Sequence, residues 1–542
     1  MLAIVLDAAD PRLVRSWTEA GHLPVLEQLM RGGGMARLSS PSEWMPEAAW
    51  PTMITGCGPG GHGIYSWRSI QPGTNVRRRT PNGTWRQPVW QLLRRCGAAS
   101  RIVLLDIPYS MPLGDPAVTE VVGWGERGAV RRTSWPPDLL ERVVARHGAY
   151  PDWVAEDYTR WPLEEARLLA TLRRAITRRT DLLEGLLRGD AWDLCMASYS
   201  EPHNAAHAFY RHLEPGSWAY HARRARRHSN RLLEVYRAVD SALGRLVATV
   251  PDGTDVVVLS GKGFRVNTSG EEVLGRVLTG LGYQVPAVKP GRLRALDATR
   301  WLVRTLAPRP LRRRIMSGRS WQERDRILEA LWTESTDWAR TRAFAETDPG
   351  HGCVRLNVSG REPHGIVDPG REYDALCAEL VAELRALTHA RSGAPAVADV
   401  ALAREVADGP HVDKLPDLFV KWSSRELLDE VRHPRLGIVR ERTKELQTAE
   451  HTGEGFLIGS GPSFRQGVEL QGGDLADFAP TLLHLMGAPI PTDMDGEVLE
   501  GLLVPAGPAG GPVRREPIAW DQDPWALDSA SHTPAALLDQ PA

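Results

Sequence analysis

The sequence predicts an α/β protein with a mostly parallel central sheet flanked by helices. Short apolar runs rich in β-branched residues alternate along the chain with longer amphipathic patterns, and this alternation is typical of parallel strands covered by helices. A chain of 542 residues is long enough for one large α/β domain with insertions or for several ordinary domains.

The predicted elements follow in chain order. The core strands that we expect are Leu2 to Leu6, Ser100 to Leu105, Trp192 to Tyr199 and Asp255 to Leu259. The helices that we expect to cover them are Pro24 to Arg31, Pro88 to Arg95, Leu163 to Leu187 and Ser229 to Val250. The 163–187 pattern is rich in leucine and arginine, as nucleic-acid-binding helices also are, but a helix that packs one face on the sheet is the commoner outcome.

Changes in composition predict the domain organisation. Residues 1–262 form the first part of the α/β core, and the arginine- and tryptophan-rich segment 263–345 is a mainly helical cap insertion. Strand-like segments resume at Cys353 to Val358, so residues 346–505 form the second part of the core. Residues 506–542 are rich in Pro, Gly and Ala without a periodic apolar face, which indicates an extended or disordered tail.

Charge and cysteine usage exclude several classes of protein. A net charge of −1 with 25% charged residues gives no reason to expect nucleic acid or a membrane surface as partner. The 5 cysteines have no CxxC spacing, which argues against a disulfide framework or a cysteine zinc site. The N-terminal apolar run has no basic leader and is too short for a signal peptide or a span, so we expect a cytoplasmic protein. No pattern indicates the oligomeric state.

The segment SEPHNAAHAFYRH carries the densest group of candidate metal ligands, Glu201, His203 and His207. It follows the strand predicted at 192–199, and open α/β sheets bind ligands where their strands end. Imidazoles suit zinc and other borderline metals, and a site with an open fourth position is typical of catalytic zinc. The alternative is that the histidines cap a helix or donate hydrogen bonds to nearby carbonyls.

Further motifs add up to a family resemblance. The chain carries, in order, IVLDAADP, AAWPTMITGCGPGGHGIYSW, EPHNAAH, VVVLSGKGF, VRLNVSGREPHGIV, LPDLFVKW, EHTGEGFLIGSGP and DLADFAPTLLHLMGAPIPTDMDG. This series resembles the alkaline phosphatase superfamily, and within it the type I phosphodiesterase and nucleotide pyrophosphatase branch, over about residues 1–260 and 346–502. The resemblance implies an alkaline phosphatase-like core with two metal ions and a Thr or Ser nucleophile at a helix N-terminus. Two adjacent metals clamp the attacking and leaving oxygens of an in-line displacement.

The resemblance assigns one metal site to histidines. Asp7 matches the family's first metal carboxylate, although it is also placed to cap the next helix. His203 stands where the family has an aspartate, His207 matches the histidine four residues later, and His451 matches the late histidine that completes the site. An imidazole in place of a carboxylate leaves a bound ion with more net positive charge. We expect zinc, with manganese or iron as alternatives.

The second metal site lacks its ligands. The family's Ser-Asp-His-Gly turn reads Ser260 to Gly263 with Gly and Lys at its centre. Lys262 is a candidate catalytic and substrate-binding residue, because its ammonium replaces a cation beside a phosphate or carboxylate; the alternative is an exposed lysine in a flexible loop. Glu201 is a candidate fourth ligand, orienting residue or general base, or else a surface acid. Asp7 completes the candidate catalytic residues.

The nucleophile position of the family is also changed. Pro46 stands in the place of the Thr or Ser, or Met45 if the alignment slips by one residue. Neither side chain attacks phosphorus, although Pro46 still begins a helix whose amides suit an anion. Thr52 or Ser42 could replace the nucleophile only if the loop is rebuilt. A threonine on a helix, such as Thr52, more often has a packing role, and Ser42 is more often a turn residue.

Three family features are expected to be structural, and one to touch substrate. His62, Arg361 and Glu362 belong to the structural group. His351, just before the VRLN strand, is a candidate substrate contact.

Three classes of function remain open. The first is a metal-dependent phosphoesterase-like hydrolase that uses His203, His207 and His451, binds a phosphorylated or otherwise anionic small molecule and forms no covalent phospho-enzyme. The second is a non-catalytic relative that binds a metabolite, and a changed reaction class such as a lyase or an iron-dependent redox enzyme is a further alternative. The enzyme is favoured because a degenerate scaffold has little reason to keep these imidazoles while the lost residues all belong to the other half of the site.

Overall fold

A computed structural model describes residues 1–125, 132–150, 162–189, 191–268, 270–288, 291, 302, 321–348, 351–423, 426–441, 448–505 and 511–524. Its strands are β1 (Leu2–Leu6), β2 (Gly33–Ser39), β3 (Arg68–Ile70), β4 (Arg77–Arg79), β5 (Ile102–Leu105), β6 (Val118–Val122), β7 (Thr133–Trp135), β8 (Leu194–Tyr199), β9 (Val256–Ser260), β10 (Gly263–Val266), β11 (Ala343–Asp348), β12 (His351–Leu356), β13 (Thr388–His389), β14 (Val397–Leu402), β15 (Leu418–Trp422), β16 (Glu430–His433), β17 (Gly437–Arg440), β18 (Ala449–Thr452), β19 (Glu454–Ser460), β20 (Val468–Asp474), β21 (Ile490–Pro491) and β22 (Arg515–Glu516).

Its α-helices are α1 (Pro11–Glu19), α2 (Pro24–Gly32), α3 (Ala49–Thr55), α4 (Pro59–His62), α5 (Val89–Arg95), α6 (Leu139–His147), α7 (Pro162–Leu187), α8 (Glu201–Phe209), α9 (Ala222–His228), α10 (Asn230–Val247), α11 (Glu271–Leu281), α12 (Trp321–Thr333), α13 (Arg371–Arg385), α14 (Ala403–Val406) and α15 (Phe478–Leu485). The core strands and covering helices expected from the sequence all form, with ends shifted by a few residues at most. No helix in the described part of the chain combines the length and the hydropathy that a bilayer span requires.

The central sheet has 9 strands in the order β20-β2-β19-β9-β1-β8-β5-β6-β7. The middle of the sheet is parallel, because β1 pairs in parallel with both β8 and β9, and β5 pairs in parallel with both β8 and β6. Strand β19 runs antiparallel between β2 and β9, and β7 is an antiparallel edge strand. The predicted α/β fold with a mostly parallel sheet is confirmed.

Both faces of this sheet are covered by helices. In β1, Leu2, Ile4 and Leu6 pack into one core with α2, α7 and α10. Ala3 and Val5 pack into the opposite core with α3, α5 and α15. Alternate residues of a strand point to opposite faces, so a strand buried on both sides must be apolar throughout. The run LAIVL meets that condition.

A separate hydrophobic core lies outside the central sheet. Strands β11-β12-β15-β14 form a 4-stranded sheet and β13-β16-β17 form a 3-stranded sheet. Their buried side chains pack with those of α11 and α13. The described part of 263–345 contains β10, α11, α12 and the start of β11. The boundaries predicted for the cap at 263–345 and for the second core half at 346–505 stay predictions.

Part of the segment predicted as a tail packs on the core. Residues 511–524 are mostly irregular, and β22 pairs in parallel with β21. Trp520 is 1% exposed and Arg86 forms an ion pair with Asp521. A single large indole buries enough apolar area to hold a non-periodic segment, which composition alone does not reveal. Residues 506–510 and 525–542 lie outside the described residues.

Candidate functional site

The candidate site lies where three adjacent parallel strands end. Leu6 of β1 is level with Tyr199 of β8, and Val5 of β1 is level with Leu259 of β9. Because the strands are parallel and in register, the residues that follow them meet at the carboxyl edge of the sheet. Asp7 follows β1, helix α8 follows β8, and Lys262 follows β9.

Helix α8 presents two of the histidines. Pro202 is tolerated in the first turn, and the following alanines favour a helix. His203 and His207 are four residues apart, so both side chains project from one face. His451 comes from β18, which pairs antiparallel with β10 and places His451 opposite Phe264.

The structure brings the three histidines together. The ligand nitrogens of His203, His207 and His451 all lie within 4.8 Å of one another. This is the only group of at least 3 such side chains with that geometry found among the described residues. The ring of Phe264 packs against all three imidazoles, with centroid distances of 5.9, 5.0 and 4.7 Å. The convergence of residues from α8 and β18, which the resemblance implies, is therefore present in the fold.

Hydrogen-bond partners assign the tautomers of two of these rings. Nδ1 of His203 donates to Oδ2 of Asp7 at 2.6 Å, and Nδ1 of His207 donates to the carbonyl oxygen of Ala449 at 2.9 Å. A neutral imidazole with hydrogen on Nδ1 has its lone pair on Nε2. The two Nε2 atoms face each other at 2.8 Å. Lone pairs at this separation repel unless a proton or a cation binds them.

The third imidazole completes a donor set that fits a divalent cation. Nδ1 of His451 is buried and has no hydrogen-bond partner in the described part of the chain. Burial lowers the pKa of His207 and of His451 well below the ordinary value, and the positive charge of Lys262 lowers both further. Neutral imidazoles are the form that binds metal ions. An orphaned buried nitrogen beside two facing lone pairs is the arrangement that a zinc-like ion satisfies.

Asp7 is close to this group but is not a member of it. Its Oδ1 accepts a hydrogen bond from Nε1 of Trp50 at 3.1 Å, while its Oδ2 is held by His203. Burial opposes ionisation of Asp7, but the neighbouring His203, the charge of Lys262 and these two hydrogen bonds lower its pKa well below the usual range. Asp7 is therefore a carboxylate at neutral pH.

Lys262 is buried at the edge of the same site. It is 2% exposed and lines a small recess with Asp7, Trp50 and Met53. The alternative of a solvent-exposed lysine in a flexible loop is wrong, because the Gly-Lys-Gly turn is packed at the sheet edge. Among the described residues its ammonium has no hydrogen-bond or ion-pair partner, although its charge acts on Asp7. Its role toward substrate stays a prediction.

Apolar side chains pack around Gly261, in the turn where the family resemblance predicts that metal ligands are missing. A Cβ atom added at Gly261 would lie 2.8 Å from Cδ2 of Leu475 and 3.5 Å from Cβ of Ala49. Real Cβ contacts are not this close, so a longer side chain here requires Leu475 to move. The space for the family's aspartate is thus occupied by apolar side chains.

Glu201 lies in a buried polar network rather than among the ligands. Its side chain is 0% exposed, so the surface-acid alternative is wrong. Oε1 accepts hydrogen bonds from the Tyr150 hydroxyl at 3.0 Å and from Nε of Arg179 at 3.3 Å. Nη1 of Arg179 also donates to Asp106 at 2.6 Å. The structure thus binds the carboxylate at the start of α8 to a buried cation, apart from the three histidine nitrogens.

The residues at the nucleophile position are buried and unreactive. Met45 precedes a short 3-10 helix, Pro46–Ala48, and both Met45 and Pro46 are buried. Ser42 is fully buried, and its hydroxyl donates to the carbonyl oxygen of Pro46 at 3.3 Å. No rebuilt loop presents Ser42 to solvent, so it is a turn residue.

Thr52 is a packing residue of α3. Its Oγ1 lies 3.0 Å from Nε2 of His62, while Nδ1 of His62 accepts the Ile64 amide hydrogen at 3.1 Å. Nε2 of His62 therefore carries the hydrogen and donates to Thr52, so His62 is no base for that hydroxyl. Burial lowers the pKa of His62 to about 3. His62 thus has the structural role expected for it.

The remaining predicted residues have different outcomes. Arg361 and Glu362 form a buried ion-pair network with Arg355 and Asp417 that ties β12 to the loop after it, in keeping with their expected structural role. His351 begins β12, but its side chain lies outside what the structure describes, so its substrate contact stays a prediction. Sequence reasoning missed Trp50 and Phe264. Their only signal is adjacency to motif residues: Trp50 lies in the motif that ends at Trp67, and Phe264 comes two residues after Lys262.

The chain is similar to a known protein family and to several solved structures. The family model for type I phosphodiesterase / nucleotide pyrophosphatase matches residues 1–278, which include Asp7, both histidines of α8 and Lys262, while His451 lies beyond them. Phosphonoacetate hydrolase from Sinorhizobium meliloti 1021 is similar, with 15% identity, a TM-score of 0.47, and 88% of this chain and 93% of that chain covered. Murine ectonucleotide pyrophosphatase / phosphodiesterase 5 has 11% identity, a TM-score of 0.45, and coverages of 93% and 100%. The human form has 12% identity, a TM-score of 0.44, and coverages of 93% and 99%. No match is found among curated proteins.

Proposed function

The chain belongs to the type I phosphodiesterase and nucleotide pyrophosphatase family, a branch of the alkaline phosphatase superfamily, and on this premise we propose that it is a single-metal hydrolase. Its substrate is a phosphorylated or otherwise anionic small molecule. His203, His207 and His451 hold one divalent ion, and no Thr or Ser forms a covalent intermediate.

The observation that carries this proposal is the pair of facing imidazole nitrogens. Nε2 of His203 and Nε2 of His207 are 2.8 Å apart, and both rings already use their Nδ1 hydrogen elsewhere. Two acceptor nitrogens aimed at each other, one half-buried and one buried, repel unless a proton or a cation lies between them, and the third imidazole beside them makes a divalent cation the better fit. A core that needed only packing would place an apolar residue at one of these positions.

Zinc is the ion that this donor set favours. Three imidazoles with an open fourth position are typical of catalytic zinc, while manganese and iron accept the same ligands and remain alternatives. A bound ion of this kind supplies Lewis-acid polarisation and lowers the pKa of water. The protein supplies the orientation of the ligands, a dry apolar wall at Phe264 and the charge of Lys262.

Lys262 supports an anionic substrate. Its ammonium is buried and has no ion-pair partner among the described residues, so it is available to a phosphate or carboxylate group. It stands in the turn that carries metal ligands in the family, where a cation neutralises the same oxygens. The proposed role of Lys262 is thus to neutralise the substrate oxygens that a metal ion neutralises in the family.

The buried loop at Met45 and Pro46 supports direct attack by water. A two-step reaction needs a hydroxyl beside the reacting phosphorus, and neither residue has one. Thr52 and Ser42 are buried and bonded to protein partners. We therefore infer one displacement at the reacting atom.

One set of observations favours a second candidate function. The loss of the nucleophile and of both ligands at Gly261 and Lys262 also suits a non-catalytic relative that binds a phosphorylated metabolite. This alternative predicts binding without turnover. A lyase or an iron-dependent redox reaction requires further groups that the described residues do not indicate.

Metal analysis of the purified protein together with substrate assays tests the proposal. We expect one equivalent of metal in the wild type and its loss in His203→Ala and His451→Ala. Phosphomonoesters, diesters and pyrophosphates, each with added zinc, manganese or iron, should include a substrate that needs the same metal. Absence of bound metal would sink the proposal. Metal binding without turnover of any panel member would favour the non-catalytic relative.

A further inference from the structure

Each carboxylate oxygen of Asp7 accepts a hydrogen bond from a protein side chain. Oδ2 accepts from Nδ1 of His203 at 2.6 Å and Oδ1 accepts from Nε1 of Trp50 at 3.1 Å. Asp7 is 9% exposed, so little of its surface is left for another partner. Both contacts are charge-assisted hydrogen bonds to an ionised acceptor, and the one from His203 is short.

The ligand geometry excludes Asp7 from the histidine group. Three histidine nitrogens lie within 4.8 Å of one another, and Asp7 does not belong to this group. Asp7 reaches the group only through His203, whose two ring nitrogens point in opposite directions: Nδ1 to Asp7 and Nε2 to His207. This is the order carboxylate, imidazole, cation position.

The length of the imidazole explains this order. A carboxylate at position 203 would end near its own ligand position, whereas an imidazole carries a second polar atom across the ring. That second atom, Nδ1, extends to Asp7. The positive charge of Lys262 acts on the same carboxylate, so Asp7 has both a hydrogen-bond donor and a compensating charge without any metal.

We propose that Asp7 is a positioning residue that orients His203 and fixes its tautomer, and that it ligates no metal ion itself. This inference rests on the proposed function, because it assumes an ion at the three histidines. Carboxylates behind a ligating imidazole fix the ring orientation and raise its basicity. The hydrogen-bond donors to Asp7 are the His203 N–H and the Trp50 N–H, and the positive charge of Lys262 acts on the same carboxylate.

Asp7→Asn separates this role from direct ligation. An asparagine has one acceptor oxygen and one NH₂ group. The oxygen can accept a hydrogen bond from either His203 or Trp50, and the NH₂ group then faces the other N–H donor. We expect one equivalent of zinc to remain bound, with an affinity weaker by about 10–100-fold. Competition with a chromophoric chelator measures the affinity, and elemental analysis measures the stoichiometry.

Trp50→Phe provides the second variant. Alone it removes one donor from Asp7 and should leave zinc affinity close to that of the wild type. Combined with Asp7→Asn it frees the amide oxygen for His203, so the double variant should bind zinc more tightly than Asp7→Asn alone. If Asp7 had only a structural role, the losses of zinc affinity in the two single variants would add in the double variant.

Asp240→Asn is the matched control. Asp240 is 3% exposed and accepts backbone hydrogen bonds from Val25 and Leu26, which are not partners of the histidine group. The variant therefore loses a buried carboxylate without changing a hydrogen bond of that group. Its zinc affinity should equal that of the wild type. Thermal unfolding of each metal-free variant verifies that the fold is retained.

The possible results separate the two proposals. Two equivalents of zinc in the wild type and one in Asp7→Asn would overturn the positioning role. One equivalent with unchanged affinity in Asp7→Asn would also overturn it while leaving the single-metal hydrolase intact. A wild type that binds none of zinc, manganese and iron would overturn both. Cobalt-loaded protein adds a spectroscopic readout, since loss of an oxygen ligand would change the visible spectrum and loss of a positioning residue should preserve its coordination number.

Discussion

Arg179 donates a hydrogen bond from Nη1 to Oδ2 of Asp106 at 2.6 Å, and both side chains are 0% exposed. The same guanidinium donates to Glu201 and lies over the rings of Trp124, Tyr150 and Tyr199. One cation therefore joins β5, α7 and the first turn of the helix that carries His203 and His207.

Arg179→Met should destabilise the protein strongly. The change leaves the carboxylates of Asp106 and Glu201 buried without their cation, and breaking a buried ion pair from one side costs about 3–5 kcal/mol. Urea unfolding of the metal-free protein measures the free energy of unfolding. Arg188→Met, one residue beyond α7, changes a side chain that is 64% exposed and pairs with Glu184, and it should stay within about 0.5 kcal/mol of the wild type. Equal losses in both variants would contradict the network role.

Zinc should stabilise the folded protein through His451. A ligand that binds only the folded state adds about 2.7 kcal/mol at one hundred times its dissociation constant. We expect this gain in the wild type and in His364→Ala, which removes an exposed histidine, and no gain in His451→Ala. Thermal unfolding with and without zinc measures the shift. An equal shift in His451→Ala would mean that zinc binds elsewhere.

Lys262→Met should weaken binding of an anionic substrate. A charged hydrogen bond contributes about 1.5–3 kcal/mol, so the ratio kcat/KM should fall by roughly 10–100-fold, and Lys262→Arg should recover part of it because the charge returns. Lys414→Met is the control. It also removes a lysine charge, but the Lys414 ammonium lies over the Trp85 ring at 4.6 Å and does not line the recess of Lys262, so the kinetics should not change. Unchanged kinetics in Lys262→Met would leave Lys262 with a packing role.

Turnover should proceed without a covalent intermediate on Thr52. Thr52→Val removes the hydroxyl, keeps the shape and should retain activity, although the Nε2 hydrogen of His62 loses its acceptor at a cost of about 1–3 kcal/mol in stability. A phosphorothioate substrate that is chiral at phosphorus should react with inversion, because one displacement inverts and two displacements retain configuration. Retention, or an inactive but folded Thr52→Val, would show that a protein nucleophile exists.

Glu120 should make the protein less stable as the pH rises. Its side chain is 0% exposed and burial, opposed only partly by the Leu113 amide, raises its pKa to about 8. The folded state therefore keeps a proton that the unfolded state loses from about pH 4.5, so stability is full below that pH and declines by about 1.4 kcal/mol per pH unit up to about pH 8.

Glu120→Gln should remove this decline. Glutamine keeps an acceptor for the Leu113 amide and never ionises, so the free energies of unfolding of variant and wild type should diverge between about pH 5 and 8. Urea unfolding across that range measures the difference. Glu141→Gln, at an exposed position of α6, should run parallel to the wild type. Parallel curves for Glu120→Gln as well would mean that Glu120 ionises freely in the fold.

The sequence predicted the fold and the location of the site because both depend on local patterns. A strand buried on two faces must be a continuous apolar run, as LAIVL is, and a helix places residues four apart on one face, as His203 and His207 are. The turn after a strand of an open sheet is a ligand-binding place by topology. Asp7, Lys262 and the start of α8 follow strands directly, so their meeting at one edge could be read from the chain.

The roles of individual side chains depended on partners that are distant in sequence. From the sequence alone, Glu201 could be a metal ligand, an orienting residue, a general base or a surface acid. The fold shows that Arg179 and Tyr150 lie beside it. Trp520 lies in a segment without any periodic pattern, and only its burial shows that this segment packs on the core. The choice between exposed and buried for Lys262 was likewise undecided, because a Gly-Lys-Gly turn is compatible with both.

Local periodicity therefore determined which elements form and where the sheet ends. Only the tertiary structure decided which polar atoms meet there: the 2.8 Å approach of two imidazoles, the placement of His451 against them across β10, and the engagement of Asp7 by His203. Hydrogen bonds and charges act over a few ångströms in space, and chain separation carries no information about that distance.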